Sequence, residues 1–175
     1  MAIIRRKAKK GALAIKVEDA SMKASDVIKI VRDAGLSLAP LDVRCLAKSL
    51  NIRVTLTPLE DDISGYLNED GGQWNIVVNA LHHPRRQRFT IAHELGHYFL
   101  HRSLQDKFVD KKLFRDGSST TIEAQANRFA SEVLMPEVEF RDFVASTSGK
   151  VEDIAENFGV SSMAVNIRAE VLGMV

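Results

Sequence analysis

His93-Glu94-Leu95-Gly96-His97 places two imidazoles and a carboxylate at a spacing that can do chemistry. At about 3.6 residues per helical turn, residues four apart share a face, so His93 and His97 can turn ring nitrogens toward one ion. Glu94 then lies beside the pair, near enough to take a proton from water activated by the ion without binding it. This is an arrangement by which a zinc ion and a carboxylate hydrolyse peptide bonds. The same letters also arise as unrelated residues of an amphipathic helix, so the spacing needs support from elsewhere in the chain.

A catalytic zinc usually takes three protein ligands and a water. His101 continues the four-residue spacing, but the span from His93 covers about 12 Å of helix axis, too far for ~2 Å bonds to one ion. His82 and His83 precede the helix and would have to fold back over it. All five histidines fall between residues 82 and 101, so a third ligand from a distant segment must be a carboxylate. Glu123 is the best placed, at the margin of the helical stripe Ile122, Ala126, Phe129, Ala130, Val133 and Leu134. A second reading stays open: with Thr120 as N-cap, Glu123 is the third helical residue and completes a capping box. Asn127, one turn on, either orients Glu123 or faces solvent.

The elements that must position these residues follow from periodicity. Ser25-Asp26 opens a helical pattern through Val27, Ile28, Ile30, Val31 and Ala34, closed by Gly35. A second helix follows Pro40 and Leu41, with Asp42 in its first turn, and runs to about residue 50. Cys45 lies in its apolar run and reads as a buried small hydrophobe. Residues 52–56 alternate as a half-buried strand, and 63–67 and 74–79 read as a hairpin with its turn at 68–72. Pro84 suits the first turn of the next helix. From Phe89 to Leu100 that helix is apolar on nearly every face, which marks it as buried. Gly96, costing about 1 kcal/mol in a helix interior, implies close passage of another backbone, for which a sheet edge is the expectation. Ala126 and Ala130 would let the Glu123 helix pack closely on it, and Pro136 ends or redirects that helix.

The expected fold class is therefore α+β: a small, mostly antiparallel sheet packed against helices, with a zincin-like His-Glu-x-x-His helix and a C-terminal helical bundle. The expected divisions are a basic N-terminal arm at 1–20, a core at 21–145, and helices at 146–175 packed on that core. With 175 residues, 45% hydrophobic and 27% charged, the chain has the composition of one ordinary folded domain. A net charge of +1 gives no global reason to invoke nucleic acid. One cysteine excludes an intrachain disulfide, no run nears the ~18 apolar residues that span a bilayer, and the basic start lacks a signal peptide's apolar core. The expected compartment is the cytoplasm. Arg5, Arg6, Lys7, Lys9, Lys10 and Lys16 read as a solvated terminus or as a nucleic-acid or partner-binding arm.

The run from Pro84 through His97, followed by Glu123-x-x-Ala126-Asn127-Arg128-Phe129-Ala130 and Leu134-Met135-Pro136, resembles the ImmA/IrrE-type metallopeptidase family. The strand Trp74-x-Ile76-Val77-Val78-Asn79 fits it too, and the likeness extends from about residue 25 to 145. The resemblance implies a cytoplasmic endopeptidase with His93, His97 and Glu123 as ligands of Zn²⁺ and Glu94 as catalytic glutamate. It also implies a helix-turn-helix regulator or antitoxin as protein substrate. Two histidines and a carboxylate would accept Mn²⁺ as well. The basic N-terminal stretch is not part of the pattern.

A rival reading comes from residues 151–168, which have the outline of a helix-turn-helix and suggest a DNA-binding regulator. Charge speaks against it. Residues 150–175 carry Lys150 and Arg168 against Glu152, Asp153, Glu156 and Glu170, whereas a DNA reader needs cations for the phosphates. A third class is a non-catalytic partner binder, such as a toxin or anti-repressor module, that keeps the metal for structure. Tyr66, Tyr98 and His83 are candidates for stabilising an oxyanion, each with a structural role as the alternative.

Overall fold

A computed structural model of the chain describes residues 22–103, 107–111 and 117–174, and the arm expected at 1–20 lies outside them. Helix α1 (Ala24–Asp33) turns Ala24, Val27 and Val31 into the core. It begins just before Ser25, where the Asp26 carboxylate accepts a hydrogen bond from the Lys23 amide at 2.9 Å. Gly35, at φ +67°, carries the chain away from its end. Asp42 is the N-cap of α2 (Val43–Ser49) rather than a first-turn residue, and accepts from the amides of Arg44 and Cys45. Cys45 is exposed, contrary to expectation. Val43, Leu46, Ala47 and Leu50 fill the buried stripe, and helical spacing carries Cys45 to the outer side.

The sheet contains β1 (Arg53–Thr57), β2 (Ile63–Asp70), β3 (Gln73–Asn79) and β4 (Lys107–Lys111) in the order β1-β3-β2-β4. Strand β2 runs antiparallel to both neighbours, while β1 lies parallel to β3, so the sheet is mostly antiparallel as expected. The hairpin is longer than the alternation suggests. Residues 68–70 continue β2, and the reversal is confined to Gly71 and Gly72, at φ +57° and +84°. A tight two-residue turn needs that left-handed pair.

Asn79, fully buried, ties the end of β3 to the segment that leads into the next helix. Its carboxamide nitrogen donates to the carbonyl of Ile63 at 3.0 Å and its oxygen accepts from the Leu81 amide at 3.0 Å. The chain then enters α3 (Pro84–His101), with His83 as N-cap and Pro84 in the first turn. Gln87 secures the approach by donating to the carbonyls of Ala80 and His82.

Helix α4 (Gly117–Leu134) packs across α3 and precedes α5 (Glu137–Ser146), α6 (Val151–Phe158) and α7 (Ser162–Val171). Phe158 stacks against Phe140 and Phe143, with ring centres 5.7 and 6.0 Å apart, which seats α6 on α5. Arg88 of α3 reaches two segments, donating to the carbonyl of Leu41 at 2.6 Å and, at the end of α6, to those of Gly159 at 3.2 Å and Phe158 at 3.3 Å. Arg168 of α7, only 5% exposed, donates to the Met135 carbonyl at 3.0 Å.

Candidate metal centre

Two close approaches fix how α3 is rotated. On the sheet side, a Cβ built on Gly65 of β2 would stand 2.6 Å from the Thr90 methyl, so only glycine lets the strand lie against the helix there. On the other side, a Cβ at Gly96 would stand 3.1 Å from the Ala126 Cα and 3.2 Å from its carbonyl oxygen. The backbone passing Gly96 is thus α4, not the expected sheet edge. Both faces of α3 being occupied, His93, Glu94 and His97 are held in its buried part, with Glu94 completely buried.

Glu123 arrives from α4. Its carboxylate oxygens lie 3.1 Å from His93 Nε2 and 3.4 Å from His97 Nε2, and the two Nε2 atoms are 3.0 Å apart. Tetrahedral bonds of 2.0–2.1 Å place ligand atoms about 3.3 Å from one another. The two Nε2 atoms have that spacing, and each has one oxygen of the Glu123 carboxylate at a similar distance. Helix α4 begins at Gly117, so Thr120 lies inside it and cannot be the N-cap, which removes the capping-box reading of Glu123.

Hydrogen bonds behind the histidines set which nitrogen carries the proton. His93 Nδ1 lies 3.0 Å from Asn127 Oδ1, an acceptor, so Nδ1 bears the hydrogen and Nε2 presents a lone pair to the centre. Asn127 therefore backs His93, not Glu123 as expected. On the other ring, Gln125 Oε1 accepts from His101 Nε2–H at 2.8 Å. That leaves His101 Nδ1 to accept from His97 Nδ1–H at 3.2 Å, and His97 Nε2 again faces inward as a lone pair. His101 is thus excluded as a ligand by distance and engaged as a support, a role the spacing alone does not reveal.

Two lone pairs and a carboxylate facing one another at about 3 Å repel unless a cation lies between them. Burial lowers the His97 pKa, a shift opposed by its hydrogen bond to Glu123 and reinforced by His93, which favours the neutral ring that metals bind. Burial alone would raise Glu123, but when the rings also carry a proton at Nε2 their hydrogen bonds to the carboxylate outweigh burial and lower it to about 2. A proton shared at the Nε2 atoms would supply those bonds, and a divalent ion would take the same seat. His93, His97 and Glu123 are also the cluster of potential ligands within 4.8 Å of one another among the described residues.

Tyr98 and His83, two of the oxyanion candidates, make structural contacts. Gly65 faces α3, so its neighbour Tyr66 points to the other face of the sheet. Tyr98 packs edge-on against Trp74 at 5.6 Å, with the Arg102 guanidinium 4.9 Å from its ring centre. His83 Nδ1 caps α3 by accepting from the Arg85 amide at 3.2 Å.

An α+β scaffold in which a His-Glu-x-x-His helix is met by a glutamate from a second helix defines the zincin-like class of metal-site proteins. Residues 47–170 match the model of the IrrE N-terminal-like domain, a peptidase family, and the chain belongs to that family. It is similar to the metallopeptidase ImmA of Bacillus subtilis (strain 168), with 32% identity over 113 residues, 63% of this chain and 64% of that protein. It is also similar to the uncharacterized immunity region protein 2 of Bacillus phage phi105, with 32% identity over 128 residues, 70% of this chain and 76% of that one. Its fold matches a Mycobacterium tuberculosis transcriptional regulator with a TM-score of 0.63 at 18% identity, covering 84% of this chain and 46% of the other. The chain thus spans under two thirds of the Bacillus subtilis relative and under half of the mycobacterial one.

Proposed function

We propose that the chain is a zinc-dependent endopeptidase acting in the cytoplasm on a helix-turn-helix regulator or antitoxin protein. The observation that carries this reading is the convergence of His93 Nε2, His97 Nε2 and the Glu123 carboxylate at 3.0–3.4 Å beside the buried Glu94. His93, His97 and Glu123 would hold the ion, with zinc favoured by the two imidazole nitrogens and manganese the next choice. When bound there, the ion would supply Lewis acidity and activate water near neutral pH. Glu94 accepts the proton released by the attacking water and passes it to the departing amine. Asn127 and His101 keep the two ligand rings in the tautomer that binds metal. A regulator as substrate is supported by the immunity region named in the phage relative, and a helix-turn-helix regulator found encoded next to this chain would be the first to test.

A Glu94→Gln variant tests the chemistry, because it keeps the ligands and removes the proton acceptor. Cleavage of the regulator is expected to fall by about 10²–10⁴-fold with zinc content unchanged. Undiminished cleavage would sink the mechanism. Retained biological effect without any cleavage would instead favour a partner binder that keeps the metal for structure. Charge at α7 weighs against the DNA-reading alternative: its one arginine, Arg168, is buried against Met135, and its exposed residues are apolar Met163, Ile167 and Val171, neutral Ser162 and Asn166, and acidic Glu170.

A further inference from the structure

Beside the metal centre a groove of about 700 Å³ runs between the first turns of α3, the middle of α4 and the start of α7. Its size is that of a ligand-binding cleft, about 300–1,000 Å³. Phe89, Met163 and Ile167 give it an apolar lining, with Met163 71% and Ile167 53% exposed. These last two, four residues apart, form one ridge that Val171, 68% exposed, continues. Arg85 and Arg86 also line it, and no carboxylate does among the described residues. Neither arginine has an ion pair among the described residues; Arg86 donates one hydrogen bond, to Ser64 Oγ at 2.9 Å. Asn127 lines the groove and holds His93, so the groove adjoins the metal centre through one side chain.

We propose that this groove seats an apolar, acidic segment of the protein substrate: its apolar side chains cover the Phe89, Met163 and Ile167 surface and its carboxylates meet Arg85 and Arg86. That the segment belongs to a substrate rests on the peptidase reading. The choice of an acidic occupant rests on charge, since among the described residues the two guanidinium groups have no ion pair and the apolar floor they border has no carboxylate. A segment bound here would lie next to Asn127, the side chain that backs His93. The α7 face that a DNA reader would turn to bases is instead a wall of a peptide site.

Two fluorescein-labelled probes test it, Leu-Glu-Leu-Leu-Glu-Leu and the same peptide with Lys for each Glu. Their binding to the zinc-loaded full-length Glu94→Gln protein is read by fluorescence anisotropy at low and high salt. The Glu probe is expected to bind at least tenfold tighter, with the gap narrowing as salt rises. Arg85→Glu combined with Arg86→Glu is expected to reverse the preference, and Ile167→Asp to weaken both probes at least tenfold. Ile167→Ala, a milder change at an exposed position, repeats that comparison if the aspartate variant fails to fold. Equal affinity for the probes, or binding indifferent to the arginine and Ile167 changes, would overturn the proposal. So would probe binding that appears only after residues 1–20 are deleted, or displacement of the probe by duplex DNA. Binding needs no turnover, so selective binding without cleavage of any protein would overturn the peptidase reading and leave the groove standing. Cleavage without probe selectivity would do the reverse.

Discussion

His97 and His93 can each present Nε2 to a metal only because a different acceptor holds each Nδ1–H. Asn127 does this for His93, and His101, itself fixed by Gln125, does it for His97. Removing such support typically costs a metal site 10–100-fold in affinity. His101→Ala is accordingly expected to weaken zinc binding by about that factor in competition with a chelator. Gln125→Glu, which still accepts a hydrogen bond, is expected to keep the affinity, whereas Gln125→Lys, which cannot, is expected to resemble His101→Ala. Unchanged affinity in His101→Ala would remove the supporting role. At this scale, spacing alone places His93 and His97 on one face and excludes His101 as a ligand by simple arithmetic. It does not show that the His101 ring turns back one turn to meet His97, because one-dimensional spacing carries no rotamer. On spacing, Glu123 is evenly balanced between ligand and cap, and the resemblance favours the ligand. The observed start of α4 at Gly117 decides against the cap.

Helices α3 and α4 contribute opposite sides of the centre, and their separation is set where Gly96 meets Ala126. A valine at 96 would have to push the α4 backbone away, at a cost of about 1–3 kcal/mol for overpacking. Gly96→Val is expected to lower the unfolding free energy by that amount and to weaken zinc binding together with it. A stable variant with full affinity would contradict the close fit. Arg88 has the equivalent role for the C-terminal helices, since its loss would strand the carbonyls of Leu41, Phe158 and Gly159. Arg88→Met is expected to destabilise the protein by about 2–3 kcal/mol in a denaturant titration, the scale of a charged hydrogen-bond donor. Much of this level is legible in the residues themselves. The glycine at 96 announces a close backbone, Ala126 and Ala130 announce tight packing, and Pro84 announces the start of α3. Alternation cannot reveal that β1 lies parallel to β3, because strand direction depends on the connection rather than on the residues within a strand. Strand β4 leaves little signal, because only Phe108 and Val109 interrupt its charged residues. Cys45 is misplaced when it is counted into an apolar run without projecting that run onto a helix.

Across the whole molecule, His93, His97 and Glu123 face one another across the seam between the α3 and α4 helices, so an ion held there would stabilise the fold. Zinc at a thousandfold excess over its dissociation constant is expected to add about 4 kcal/mol, an increment that a chelator removes. Glu123→Ala is expected to abolish most of this zinc-dependent rise in thermal midpoint. An equal rise in that variant would return Glu123 to a bystander. Family membership rests on residues 47–170, and among the described residues no helix is long and apolar enough to cross a membrane. The central claim is that these side chains cut a peptide bond with Glu94 handling the proton. The most direct measurement incubates the zinc-loaded chain and its Glu94→Gln variant with candidate helix-turn-helix regulators, any encoded next to it first, and tracks the fragments by mass spectrometry. The native chain is expected to give a discrete cleavage that zinc removal abolishes and Glu94→Gln slows at least a hundredfold at equal zinc content; cleavage at the same rate by both proteins would contradict the claim.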